Sequence, residues 1–69
     1  MEIHVDDPRH TGDLVAFLER ACCGVERLGD ARLRVRIPDS PLPEGEWLEL
    51  TLYLQAWRAV NPDARVRIA

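Results

Sequence analysis

The sequence predicts an α+β fold in which a four-stranded antiparallel sheet carries two helices on one face. Three observations support this prediction. Short segments that alternate between apolar and polar residues, as half-buried strands do, occur near both ends and in the middle of the chain. Two longer segments with apolar residues at helical spacing separate them. Stretches that contain proline or glycine lie at the boundaries, where these residues end regular structure.

Residues 1–5 alternate between apolar and polar side chains and predict the first strand. The helix that follows has alternative starts. Asp7 can cap it, with Pro8 at the first helical position. A later start, capped by Thr11 or by Asp13, is equally compatible with the sequence.

The apolar positions of the first helix recur at helical spacing, at Leu14, Val15, Phe17, Leu18, Ala21 and Cys22. Gly24 is expected to be the left-handed residue that ends this helix. Because Cys22 falls on the apolar side, we expect its thiol to be buried. Cys23 lies near the helix end and is expected to be more exposed.

A weak strand at residues 25–28 and the clearest strand of the chain at 31–37 flank a turn signal. A two-residue turn would bring a glutamate opposite Leu33 on the core side. A three-residue turn over 28–30 pairs Val25 with Leu33 and keeps apolar side chains together. We therefore expect the three-residue turn, with a bulge.

A proline-rich connector precedes the second helix, and it contains Ser40 as a candidate helix cap and Pro41 as a candidate first helical residue. Helical spacing runs over residues 46–60 and ends before Pro62, which cannot continue a helix. Residues 64–68 alternate again and predict the last strand.

The predicted element order is β-α-β-β-α-β, which consists of two split βαβ units around a central hairpin. We expect a single domain over residues 1–69 with a ferredoxin-like sandwich and the strand order 4-1-3-2. The side chains expected to face the helices are Ile3, Val5, Val25, Leu33, Val35, Ile37, Val66 and Ile68.

The second helix is apolar on two sides, although a surface helix of a small domain needs only one apolar stripe. One side carries Leu50, Leu54, Trp57 and Trp47, and the other carries Leu48, Leu52, Ala56 and Ala59. Tyr53 and Val60 lie between the two sides. The pattern favours a second helix beside it, a partner subunit, or both. The expected interface consists of Leu48, Leu52, Tyr53, Ala56 and Val60.

Chain length also favours self-association. A chain of 69 residues buries only about 60% of its unfolded surface, so an isolated monomer would be marginal. The only cysteines, Cys22 and Cys23, are adjacent and offer no useful cross-link. We therefore expect a homo-oligomer, most simply a homodimer, and leave a further protein partner open.

The outer side of the predicted sheet is strongly charged. It carries Glu2, His4 and Glu26, and a basic set of Arg32, Arg34, Arg36, Arg65 and Arg67. Two interpretations remain open: a solvated surface that neutralises itself across strands, or a platform for an acidic partner, a phosphate or RNA. RNA binding on such a sheet normally uses exposed aromatic residues, and none falls on this side. The net charge of −3 also argues against general nucleic-acid binding.

Motifs for catalysis or for metal and cofactor binding are missing from the sequence. The two histidines have no ligand at metal-binding spacing, and no glycine-rich phosphate loop occurs. We expect a protein without enzymatic activity, cofactor or metal. No signal peptide or membrane-spanning apolar run is present. Together with unpaired cysteines, this favours a cytoplasmic location.

A strand followed by Asp7-Pro8, with Gly12-Asp13-Leu14 at the opening of a helix and then a glycine and a hairpin, resembles an ACT-type regulatory domain. The resemblance covers most of the chain by element order. It implies dimers or larger assemblies that bind an amino acid at the first strand-to-helix loop. The ligand-binding positions would be Asp7, Gly12 and Asp13. The chain departs from the family at residues 9–11, which separate Pro8 from the glycine.

Overall fold

The computed structural model describes residues 1–37 and 43–68. The elements, in chain order, are β1 (Glu2–Val5), a 3-10 turn (Pro8–His10), α1 (Thr11–Arg20), β2 (Gly24–Arg27), β3 (Arg32–Arg36), α2 (Pro43–Val60) and β4 (Val66–Ile68). The predicted α+β class, with four antiparallel strands in one sheet and two helices, is confirmed. The proposed cap Ser40 and the proline beside it lie outside the described residues.

The strands are arranged in the order β2-β3-β1-β4, so β1 lies between β3 and β4. Every neighbouring pair is antiparallel. The odd residues of β1 and β3 point to the core, where Ile3, Val5, Leu33 and Val35 are buried. The even residues form the opposite, exposed or half-exposed side of the sheet. This alternation follows from the period of two in a strand.

Both helices pack on the apolar side of the sheet. Leu14 and Leu18 of α1, with Leu50, Leu54 and Trp57 of α2, belong to the same buried cluster as the inward residues of the strands. The expected inward positions Val25, Val66 and Ile68 lie on the edge strands and are half-buried, packed against this cluster. A single core therefore joins the helix layer to the sheet.

Of the predicted caps of the first helix, Asp7 is confirmed, although it caps a 3-10 turn; the later start capped by Thr11 or Asp13 is wrong, because the N-cap of α1 is His10 and no side chain caps it. Asp7 caps the 3-10 turn by accepting a hydrogen bond from the Arg9 backbone N–H at 3.0 Å, with Pro8 in the first turn. The α-helix itself begins at Thr11, whose side chain is fully buried. The Thr11 hydroxyl donates to the carbonyl oxygen of Asp30 at 2.8 Å, so it ties the helix start to the hairpin turn.

The expected end of α1 at Gly24 is wrong. The left-handed residue is Cys22, with φ of 65°, whereas Gly24 has no positive φ and begins β2. The Cys22 N–H donates to the Glu19 carbonyl and the Cys23 N–H to the Leu18 carbonyl, both at 3.0 Å. This is the Schellman pattern of a helix end, with a cysteine where glycine is usual.

The expected environments of the two thiols are also reversed. The helix ends at Arg20, earlier than its apolar pattern suggests, and the left-handed residue turns the chain. As a result Cys22 is exposed and Cys23 is buried in the core. Desolvation, then the neighbouring Cys22 and Glu49, raises the pKa of the Cys23 thiol.

The hairpin pairing differs from the expected one by two residues. Val25 pairs with Val35, and Arg27 pairs with Leu33, so the expected pairing of Val25 with Leu33 is wrong. The Leu28 N–H donates to the Arg32 carbonyl at 2.9 Å, so the turn that this bond closes still has three residues, shifted to 29–31. The Val5 N–H donates to the Ala31 carbonyl at 2.8 Å, which holds the end of this turn against β1. A shift by two preserves which side chains face the core.

Candidate interaction surfaces

The long helix α2 buries one of its two apolar sides and exposes the other. Leu50, Leu54 and Trp57 are buried against the sheet and α1. On the opposite side, Leu48 and Leu52 are 56% and 63% exposed. We call Leu48, Leu52, Ala56, Ala59 and Val60 the outer α2 face; all five are exposed. Among the described residues, no element of the chain covers this face.

One position of α2 deviates from the sequence pattern. Trp47 was expected beside Leu50 and Leu54 on the buried side, but its side chain is 48% exposed. It lies over β4, the short edge strand, and contributes to a cleft there instead of the core. Tyr53, predicted between the two sides and at the interface, is half-buried and packs against the core. It therefore borders the outer α2 face, and its place in an interface stays a prediction.

A cleft of about 260 Å³ lies between α2 and the edge strand β4. Trp47 and Leu54 line it from the helix, and Val66 and Ile68 line it from the strand. Arg58 stands at its polar side. The same arginine also borders a second cleft of about 410 Å³, with Arg65 and Arg67. The region beside β4 is thus apolar under the helix and basic around it.

The outer side of the sheet carries the five arginines Arg32, Arg34, Arg36, Arg65 and Arg67, and all of them are exposed. Arg32 forms an ion pair with Glu2 on β1, and Arg34 forms one with Glu26 on β2 at 3.3 Å. The hydrogen bond and charge of Arg32 lower the pKa of Glu2. Part of the basic set is therefore neutralised by carboxylates on neighbouring strands.

Arg67 has a looser partner than the arginines of β3. Its Nε lies 3.9 Å from the Asp6 carboxylate, at the limit of an ion pair. Arg67 stands opposite His4 in the sheet, and His4 stands opposite Arg32 on its other side. Within residues 1–37 and 43–68, Arg36 and Arg65 form no ion pair. Among these residues the basic face therefore keeps one arginine without an ion pair on each side of β1, Arg36 on β3 and Arg65 next to β4.

The three positions expected to bind an amino acid all lie where β1 leads into α1, but two of them are engaged by this chain. The Asp7 carboxylate holds the Arg9 side chain at 2.7 Å as well as capping the 3-10 turn. Arg9 lowers the pKa of Asp7 to about 2. The carboxylate of Asp13 accepts a hydrogen bond from the Trp57 indole at 2.8 Å. Gly12 is exposed, and an added Cβ would meet no atom within 4 Å.

Sequence reasoning missed two residues of this region. Trp57 was assigned to the core, but its bond to Asp13 was not foreseen; a buried tryptophan needs an acceptor, yet nothing in the sequence says which. The sequence assigned no contact to His10. Its ring lies 6.2 Å from the Trp57 ring in an edge-on arrangement, and its Nδ1 is buried with no hydrogen-bond partner among the described residues.

Within the part of the chain that the structure describes, no three histidine, cysteine or acidic side chains cluster as a metal site would require. In the same residues no helix combines the length and apolar character needed to cross a bilayer. Comparison with protein-family models, curated proteins and solved structures finds no match to this chain.

Proposed function

We propose that this chain is a non-catalytic interaction module with a ferredoxin-like sandwich that forms a homodimer through the outer α2 face. The chain order β-α-β-β-α-β and the strand order β2-β3-β1-β4 support the ferredoxin-like assignment. The observation that carries the proposed function is the exposure of Leu48, Leu52 and Val60 on a helix whose opposite side is buried.

The grouping of apolar side chains exposed to water supports an interface on this face. Leucines four residues apart on a helix are neighbours, so Leu48 and Leu52 form one contiguous patch. Single exposed apolar residues are ordinary, but grouped ones rimmed by polar residues are typical of protein–protein contacts. Glu49 and Gln55 border this patch and are exposed. The small residues Ala56 and Ala59 would allow a second helix to approach closely.

The helix is a better self-association surface than the edge strand β4. Two copies of β4 paired antiparallel would oppose Val66 with either Val66 or Ile68 of the second copy. In both registers arginines of the two strands face each other on the outer side of the sheet. Like charges directly opposite each other are destabilising. The five residues of the outer α2 face carry no charge.

Amide chemical shifts on dilution would test the proposed dimer. We expect concentration-dependent shifts at residues 48, 52, 56 and 59, and none at the centre of the sheet. Leu52→Glu should remove the concentration dependence because it places a charge in the apolar contact. Gln55→Glu adds the same charge beside the patch and serves as the control. Shifts confined to strand residues would contradict the proposal.

A second candidate function is an amino-acid sensor of the ACT type. The observation that favours it is the buried Nδ1 of His10, which has no hydrogen-bond partner among the described residues. His10 lies between Asp7, the cap of the 3-10 turn, and Gly12 and Asp13 at the start of α1. A ligand that prefers the folded chain raises the unfolding midpoint with concentration. A thermal-shift panel of amino acids at millimolar concentration tests this candidate. An unchanged midpoint across the panel would eliminate it.

A further inference from the structure

The free edge of β4 presents unpaired backbone groups beside an apolar cleft. The Asp6 N–H donates to the Arg65 carbonyl at 2.9 Å, so the backbone groups of Arg65 face β1. In an antiparallel ladder the backbone N–H and C=O groups of successive residues point alternately toward one neighbouring strand and toward the other side. Arg67 therefore also bonds toward β1, and the N–H and C=O groups of Val66 and Ile68 point away from it. No strand among the described residues pairs with that edge.

The cleft at this edge matches the side chains of an added strand. An additional strand would lie about 4.8 Å from β4, with every second side chain on the helix side of the sheet. Those side chains would enter the cleft of about 260 Å³ formed by Trp47, Leu54, Val66 and Ile68. These four residues make the part of the cleft next to the strand apolar, whereas Thr51, Gln55 and Arg58 line the rest of it. Apolar residues therefore fit at these alternate positions.

The remaining side chains of the added strand would meet a basic surface. They would lie on the outer side of the sheet next to Arg67, which is exposed, with Arg65 nearby. Among the described residues that line the second cleft, Asp6 is the one carboxylate, at 3.9 Å from Arg67. Two arginines against one aspartate leave an excess of positive charge. Acidic residues at these positions would gain opposite-charge pairs across strands.

We propose that the edge of β4 binds an extended peptide segment of another protein in which apolar and acidic residues alternate. The backbone of the peptide extends the sheet, its apolar residues occupy the cleft under Trp47, and its acidic residues face Arg67. A second copy of this chain fits the edge poorly because its own β4 would present arginines there. This binding mode does not depend on the dimer formed through the outer α2 face.

Titration of the full chain with a short capped peptide that alternates glutamate and valine tests the proposal. The expected result is saturable binding, with the largest amide shifts at Val66 and Ile68 and none along Leu48 and Leu52. N-methylation of the peptide nitrogens that face β4 should weaken binding by about tenfold or more, since each methyl removes a hydrogen bond. N-methylation of the alternate nitrogens should leave the affinity unchanged.

Charge reversal provides the matched controls. Arg67→Glu should lower affinity for the acidic peptide by about two- to fivefold and raise it for a lysine–valine peptide. Arg36→Glu makes the same charge change on β3, two strands away, and should leave both affinities unchanged. The proposal is overturned if the two peptides bind wild type equally, or if neither binds at millimolar concentration. It is also overturned if Val66 and Ile68 shift with protein concentration alone, which would indicate a second copy at this edge.

Discussion

The Trp57 indole N–H donates a hydrogen bond of 2.8 Å to the Asp13 carboxylate, and this bond joins the two helices above the sheet. Trp57 is almost completely buried, and Asp13 lies in the first turn of α1. A buried indole without an acceptor loses the hydrogen bond that it makes with water in the unfolded chain. We therefore assign Asp13 a role in stability, in addition to its proposed place near a ligand.

Asp13→Ala should lower the free energy of unfolding by about 1–3 kcal/mol, because it leaves the Trp57 N–H unsatisfied. Asp13→Asn keeps an acceptor oxygen at the same position and should cost less. Urea denaturation followed by far-ultraviolet circular dichroism measures both. Equal stability of wild type and Asp13→Ala would show that the hydrogen bond contributes nothing.

Leu54 and Leu52 form a matched pair on opposite sides of α2. Leu54→Ala should cost about 2–5 kcal/mol, since the residue is buried against the sheet. Leu52→Ala should change the stability of the isolated chain by no more than about 0.5 kcal/mol, because the side chain is exposed. Denaturation at low protein concentration separates this effect from self-association. A larger loss at Leu52 than at Leu54 would mean that the assignment of the two sides is inverted.

Cys22→Gly should raise the free energy of unfolding by about 1 kcal/mol. Cys22 has φ of 65°, where any residue with a Cβ is disfavoured and glycine is not. Cys22→Ala retains the Cβ and is the control, with little expected change. Cys22→Val should be destabilising because the branched side chain is more restricted in this conformation. Thermal unfolding of the wild type and the three variants gives the order of their stabilities. A glycine variant less stable than the wild type would refute the prediction.

The Asp7 carboxyl should titrate with a pKa of about 2, below its ordinary 3.8, because Arg9 bonds to the charged form. A lowered pKa in the folded chain stabilises the fold above pH 3.8, and this contribution disappears as the pH falls through 2. Arg9→Ala should return the pKa toward 3.8. Carboxyl NMR titration measures the value directly. A pKa unaffected by Arg9→Ala would show that the pair does not form in solution.

Local pattern predicted most of the fold, because strand alternation and helical spacing identify which side chains face the core. It could not fix the hairpin pairing, since a shift by two residues keeps Val25 and Leu33 on the same side of the sheet. The contact that distinguishes the two pairings is tertiary: the Val5 N–H of β1 donates to the Ala31 carbonyl at the end of the turn. The helix end was misassigned because glycine is the usual left-handed residue, and here Cys22 takes that conformation.

The candidate surfaces were predictable to different degrees. The excess of apolar residues on α2 is visible in the sequence, and the structure leaves Leu48 and Leu52 exposed as that excess implies. The cleft beside β4 was not predictable, because it needs the position of Trp47 relative to the edge strand. Likewise, the Asp13–Trp57 bond joins residues far apart in the chain, and sequence spacing carries no information about it.

Sedimentation equilibrium of the wild-type chain and of Leu52→Glu tests the central claim most directly. We expect the wild type to reach twice the chain mass as its concentration rises, and Leu52→Glu to stay a folded monomer over the same range. Gln55→Glu should behave as the wild type does. A wild-type chain that remains a stable monomer up to millimolar concentration would contradict the proposed dimer through the outer α2 face.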